Sequence, residues 1–242
     1  MKLTHGQQLF QYTWCICWIV FSTYWVHLMY EFQHHFYVEY PIHVAISREY
    51  THVIVECCAF LFGVALILYK DAKAVRIVAF VVVQYALIFL IQKIFKSGRT
   101  QLDGPFYVVI GLLFIPTLRE HADVLAWGWV NGLIVGRWAC FLTGVQDGTA
   151  GDEVWWGLDQ GDGKYRIPSA LFESLFMCAM GLVIAKTRRV NGVYCVIAYC
   201  LFRIINDVFR PHVGIGYAYH AVATITLFII YAKILSKSKK IQ

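Results

Sequence analysis

The chain has 242 residues, of which 59% are hydrophobic and only 15% charged, with a net charge of +6 and a mean hydropathy of +0.58. A soluble domain carries about 25% charged residues, so the composition excludes an ordinary soluble enzyme and points to a polytopic helical membrane protein. The positive balance does not indicate nucleic acid, because the basic residues sit mainly at segment ends and in the tail, where they fix orientation.

No Ser/Pro/Gly-rich linker and no internal repeat divides the chain, so one membrane core is expected. Seven of the eight cysteines (Cys15, Cys17, Cys57, Cys58, Cys178, Cys195 and Cys200) lie inside apolar runs. They read as small buried residues, not as a disulfide framework.

The first apolar run, Leu9–Tyr30, is too long for a signal-peptide core and is followed by no small-residue cleavage site. It is expected to be a retained anchor helix, with residues 1–44 forming that helix and an aromatic outer loop. The His34–His35 pair in that loop has no ligand partner at metal-binding spacing, and no metal or other cofactor is expected. Seven further runs follow: Thr51–Tyr69, Ala74–Phe95, Phe106–Leu118, Val124–Leu142, Ala170–Ala185, Gly192–Phe209 and Ile215–Leu235. The expected fold is therefore all-α, a transmembrane bundle of seven core spans plus one N-terminal span. The core occupies residues 45–235 and residues 236–242 form a basic tail.

The lysines of that tail place the C-terminus in the cytoplasm by the positive-inside rule. Counting back, the connections at 70–73, 118–121 and 186–189 also fall inside, and the long loop Thr143–Ser169 falls outside. Lys93, Lys96 and Arg99 then lie near the outer face, where they would attract anionic lipid headgroups.

Three spans carry polar residues that hydrocarbon tolerates poorly. Gly128, Gly132, Gly136, Cys140 and Gly144 recur every fourth residue and form a smooth stripe if helical. Beside that stripe stands Arg137, whose burial in lipid costs roughly 2.5–3.5 kcal/mol on insertion scales. Such an arginine is expected to face an anion within the protein or a wet cavity. Arg203, Asp207 and Arg210 share one helix face, so Arg203 and Asp207 can pair. Glu173 stands one turn into a helix that opens at Pro168–Ser169. All of these fall toward the outer half of the membrane, where arginine forks suit a phosphate. Plainer readings stand beside this one: a structural Arg203–Asp207 pair, Glu173 satisfying a helix N-terminus, His52 and His220 as buried hydrogen-bonded histidines, and Cys140 as a packing residue. The stretch DQGDG (159–163) lacks the acidic alternation of a calcium loop.

Three blocks, in this order and spacing, resemble the bacterial prolipoprotein diacylglyceryl transferase family. HADVLAWGWVNGLIVGRWACFLTGVQDG (121–148) is similar to the family's GRxGNFxNGExxG signature, which in divergent members reads GRxGCFxxG. RIPSALFES (166–174) is similar to its R-H-P-S-Q-L-Y-E block, and GVYCVIAYCLFRIINDVFRP (192–211) to its late R-x-x-x-E-x-x-R helix. The resemblance covers roughly residues 45–235.

It implies a multi-pass enzyme of the bacterial cytoplasmic (inner) membrane whose site opens to the periplasm. Such an enzyme moves a diacylglyceryl group from phosphatidylglycerol to the lipobox cysteine thiol of a prelipoprotein, in lipoprotein biosynthesis. On this resemblance Arg137 and Arg203 hold the lipid phosphate, Asp207 orients Arg203, and His52 takes the place of a tyrosine as a candidate base. Cys140, Gly144, Gly148, Arg166, Ser169, Glu173 and Arg210 line the substrate site.

The chain departs from the pattern at Cys140 and Thr143 (both Asn in the signature), Val145 (Glu) and Ile167 (His). The family's H-G-G-L-I-G motif has no histidine here, where the nearest stretch is Gly104–Gly111. The half that grips phosphate is kept and the half that handles the thiol is altered. Two alternatives therefore stand beside the transferase: transfer from the same lipid to another acceptor, and a non-catalytic lipid-binding scaffold.

Overall fold

The structure is a computed structural model, and it describes residues 1–32, 48–75, 78–79, 119–144, 150–210 and 226. Helices account for most of them. In chain order these are α1 (His5–Phe32), α2 (Arg48–Lys70), α3 (Arg119–Thr143), α4 (Ser169–Thr187) and α5 (Gly192–Val208). They correspond to five of the eight expected spans, and the runs at Ala74–Phe95, Phe106–Leu118 and Ile215–Leu235 lie almost wholly outside the described residues.

Among the described residues three helices are long and apolar enough to cross a membrane, within Thr51–Lys70, His121–Thr143 and Ser169–Thr187. At 28 residues α1 is longer, but its Gln, Tyr and Trp content keeps it out of that group. The 17 residues of α5 are short for a crossing. Leu61, Val183 and Ile205 are exposed on the helix surfaces, as a hydrocarbon solvent allows. The described residues are mostly helical, in keeping with an all-α membrane bundle.

The small-residue stripe does what its spacing predicts. A side chain at Gly63 of α2 would come within 2.9 Å of the Gly128 carbonyl oxygen, and one at Gly132 within 3.1 Å of the Ala59 carbonyl. The two backbones touch, so α2 and α3 pack with nothing between them. On its other side α3 meets α4, where the Ser174 hydroxyl donates to the Ile134 carbonyl at 2.7 Å. Helix α1 is pinned by a buried amide cluster. Gln11 accepts from Trp127 Nε1 at 2.7 Å and exchanges hydrogen bonds with Asn131 at 2.9 and 3.0 Å. In a bundle interior such groups must be satisfied by the protein.

The connections expected on one side do gather at one end of the bundle. His121 pairs with Asp71 at 2.6 Å, Lys70 donates to Gln7 at 3.1 Å, Leu3 donates to the Arg188 carbonyl at 2.9 Å, and Gly192 donates to Asp123 at 2.8 Å. At the opposite end the stretch read as a loop contains a hairpin. Strand β1 (Glu153–Asp159) pairs antiparallel with β2 (Tyr165–Arg166), Leu158 opposite Arg166 and Asp159 opposite Tyr165. The turn is built by Asp159, whose carboxylate accepts from Gly161 and Gly163 N–H at 2.8 and 3.1 Å. Both glycines have positive φ, 102° and 75°, which side-chain-bearing residues rarely adopt. The hairpin is tied down by Tyr30, which donates to the Trp156 carbonyl at 2.7 Å, and by Asp152, whose N–H donates to the Phe209 carbonyl at 2.9 Å.

Candidate active site

Beneath the hairpin, α3, α4 and α5 bring their charged residues to one depth. Arg137 stands in the penultimate turn of α3, Glu173 in the second turn of α4, and Arg203 and Asp207 near the end of α5. All four are buried, between 0% and 5% exposed.

The cluster is organised about the Glu173 carboxylate. Arg137 Nε lies 2.6 Å from its Oε1, and Arg203 Nη1 donates to both oxygens at 3.2 Å. The Tyr199 hydroxyl donates to Oε1 at 2.5 Å and accepts from Arg137 Nη2 and Arg203 Nη1 at 3.3 Å each. From Arg203 the chain of charges continues through Asp207 Oδ1, 3.3 Å from its Nη2, to Arg210 Nη1 at 3.2 Å. Three guanidinium groups thus interleave with two carboxylates. Burying so many charges is tolerated only because each carboxylate is gripped from two sides. The Nε of Arg210 is a buried donor with no hydrogen-bond partner among the described residues, and so is the hydroxyl of Ser169. An oxyanion is the ligand that such donors suit.

A second, thiol-bearing group adjoins the cluster through Arg137. Its Nη1 lies 3.7 Å from Cys140 Sγ, and that sulfur lies 3.8 Å from His52 Nε2 on α2. The other ring nitrogen of His52 stands 3.5 Å from Glu56 Oε2, one turn along α2.

Of the residues expected in the site from sequence, the structure therefore brings Arg137, Cys140, His52, Glu173, Arg203, Asp207 and Arg210 into one connected set. Glu173 does not satisfy a helix end. It is the hub between two arginines. Ser169 is buried at the start of α4, where its carbonyl accepts from Asn206 at 3.4 Å. Gly144 ends α3 with φ of 66°. Arg166 stands apart from the cluster: its guanidinium pairs with Asp162 at 2.8 Å and reaches the Gly151 carbonyl at 3.4 Å, bracing the hairpin. Gly148 and His220 lie outside the described residues.

Two members of the set were missed by sequence reasoning, Tyr199 and Glu56. Each lies four residues from a residue that was singled out, on the same helix face, which is the signal that could have found them.

Interleaved arginines and carboxylates buried at one depth of a helical membrane bundle are the kind of feature that marks a candidate functional site in a membrane protein. The family can also be stated. The model of the prolipoprotein diacylglyceryl transferase family matches residues 72–236, and the chain belongs to that family of transferases. The matched stretch takes in the whole arginine–carboxylate cluster and Cys140 but not α1, nor His52 and Glu56 of α2. No curated protein and no solved structure matches the chain.

Proposed function

We propose that the protein moves a diacylglyceryl group from phosphatidylglycerol to the lipobox cysteine thiol of a prelipoprotein, at the non-cytosolic face of a bacterial inner membrane. The observation that carries this reading is the convergence of Arg137, Arg203 and Arg210 on one buried cluster beneath the hairpin. The opposite end of the bundle holds Lys70, Lys73, Arg119, Lys186, Arg188 and Arg189, and the positive-inside rule assigns such an end to the cytoplasm.

In the reaction the acceptor sulfur forms a bond to the terminal glyceryl carbon of the lipid. The bond from that carbon to the phosphate oxygen breaks, and glycerol phosphate leaves with the electron pair. Arg137 and Arg203, held by Glu173, supply fixed positive charge where the leaving phosphate gains negative charge. Arg210 and Ser169 add donors at the outer edge. His52 takes the thiol proton, with Glu56 holding its far nitrogen.

The test uses the full chain in nanodiscs of labelled phosphatidylglycerol with a lipobox peptide. Transfer to the peptide is expected, with stoichiometric glycerol phosphate, and Arg137→Ala or Arg203→Ala should lower the rate about 10²-fold or more. A folded protein that transfers nothing, or an Arg137→Ala variant as fast as wild type, would refute the proposal. Cys140, where the family signature has Asn, favours a second reading in which the same lipid serves another acceptor. A new glycerolipid after overexpression would support it.

A further inference from the structure

The arginine cluster accounts for a phosphate, and the transfer reaction uses His52 and Glu56 but leaves without a role the resident thiol that stands in series with them. Cys140 Sγ, His52 Nε2, His52 Nδ1 and Glu56 Oε2 follow one another at 3.8 and 3.5 Å across α3 and α2. This is the order of nucleophile, base and orienting acid that activates a resident thiol. Among the described residues no group of three His, Cys, Asp or Glu is arranged to hold a metal ion. The Arg137 guanidinium, 3.7 Å from the sulfur, sets positive charge beside the place where an oxyanion would form.

The surroundings indicate what the thiol would meet. An apolar groove of about 90 Å³ follows the α2–α3 contact from Ile67 and Leu125 to Glu56 and Gly136. Gly136 precedes Cys140 by one turn on the same face of α3. A hydrocarbon chain lying in the groove would meet a carboxylate at the Glu56 end, one helical turn short of His52 and Cys140. For a lipid held there by its phosphate, the nearest reactive group on such a chain is its ester carbonyl.

We propose that Cys140 is a nucleophile that accepts a fatty acyl group from the membrane glycerophospholipid, giving an S-acyl enzyme. The Cys140 proton passes to His52 Nε2 and the sulfur attacks the ester carbonyl carbon. The tetrahedral oxyanion, beside Arg137, collapses with cleavage of the carbonyl carbon–oxygen bond. The leaving alkoxide takes the proton from His52 and departs as lysophospholipid. Glu56 is a positioning residue that holds the imidazole. The inference rests on the transferase reading only for the class of donor lipid, because the bond broken is different.

The full chain is incubated in vesicles of phosphatidylglycerol whose acyl chains carry an alkyne, and its peptides are mapped by mass spectrometry. One acyl group on the Cys140 peptide is expected, released by neutral hydroxylamine and matched by lysophospholipid. It should be absent in Cys140→Ser and formed about 10²-fold more slowly in His52→Ala. Glu56→Gln should slow it at least about 10-fold, and Glu56→Asp should recover part of the rate.

Three results would overturn the proposal. One is a folded wild-type protein with no adduct. Another is equal labelling of the exposed Cys17, Cys57 and Cys58 that ignores His52→Ala. The third is a hydroxylamine-resistant thioether carrying the whole diacylglyceryl group. Glycerol phosphate measured in the same vesicles with lipobox peptide reports the transferase reaction separately, so either activity can fail without the other.

Discussion

Glu173→Gln tests whether the cluster is held by charge or only by shape. The substitution keeps the size of the side chain and removes the negative charge that lies 2.6 Å from Arg137 and 3.2 Å from Arg203. Two guanidiniums then face each other across a neutral amide at a site 1% exposed. Breaking a buried pair by removing one partner costs about 3–5 kcal/mol. At about 2–4 °C per kcal/mol for a chain of this size, the melting point should fall by roughly 6–20 °C. Tyr199→Phe removes only the hydroxyl that donates to the same carboxylate and should cost about 1.5–3 kcal/mol. Because the hydroxyl and the carboxylate share both arginines, the double variant should lose less than the sum of the two. Thermal unfolding in micelles, followed by tryptophan fluorescence, reads all three, since the ring of Trp129 packs edge-on against Tyr199 at 4.9 Å. A Glu173→Gln protein melting within about 2 °C of wild type, or strictly additive losses, would refute the charge argument.

Gln11→Ala should cost about 2–4 kcal/mol, since it strands the buried Trp127 N–H and the Asn131 side-chain oxygen together, and protease should then cut α1 away from the bundle faster than in wild type. Gly144→Ala should cost about 1–2 kcal/mol, because its φ of 66° is unfavourable for a side chain, and this is readable as a lowered melting point. Arg210→Lys should raise the KM for phosphatidylglycerol several-fold while leaving kcat nearly unchanged, because a lysine offers a point charge in place of the planar fork; an unchanged KM would remove Arg210 from the lipid site.

What the sequence showed and what it hid follow from the range of the forces involved. Periodicity is a property of one helix, so the stripe from Gly128 to Gly144 and the Arg203–Asp207 pair were both legible. A lone arginine in an apolar run is so costly that Arg137 announced itself. Which carboxylate answered it was not legible, because Glu173 reaches it from another helix, and a carboxylate near a helix start has an adequate local reason to be there. Tyr199 was silent for a related reason: a tyrosine in an apolar span is ordinary until a carboxylate is found against its hydroxyl. The hairpin is hard to see in the sequence because β2 has only two residues and the turn is built by one aspartate and two positive-φ glycines, none of which contributes to a hydropathy pattern.

The glycine contacts do more than allow close packing: they set the register that makes the thiol pair. Helices α2 and α3 run antiparallel, so each turn of three or four residues back along α2 matches one turn of four forward along α3. Gly63 meets Gly128, Ala59 meets Gly132, Glu56 and Gly136 share the end of the groove, and His52 then meets Cys140. Gly63→Val places branched carbons where even a Cβ would stand 2.9 Å from the Gly128 carbonyl, and the helices must part or slide. The stability cost should be modest, about 1–3 kcal/mol. The cost to chemistry should be larger, because a displacement near 1 Å lowers a positioned reaction about 10²-fold. Any reaction using His52 as base should slow by about that factor, while the Glu173–Arg203 pair, built on α4 and α5, keeps its protection in hydrogen exchange around α5. A Gly63→Val protein as fast as wild type would mean that the register of α2 on α3 does not govern the chemistry of His52.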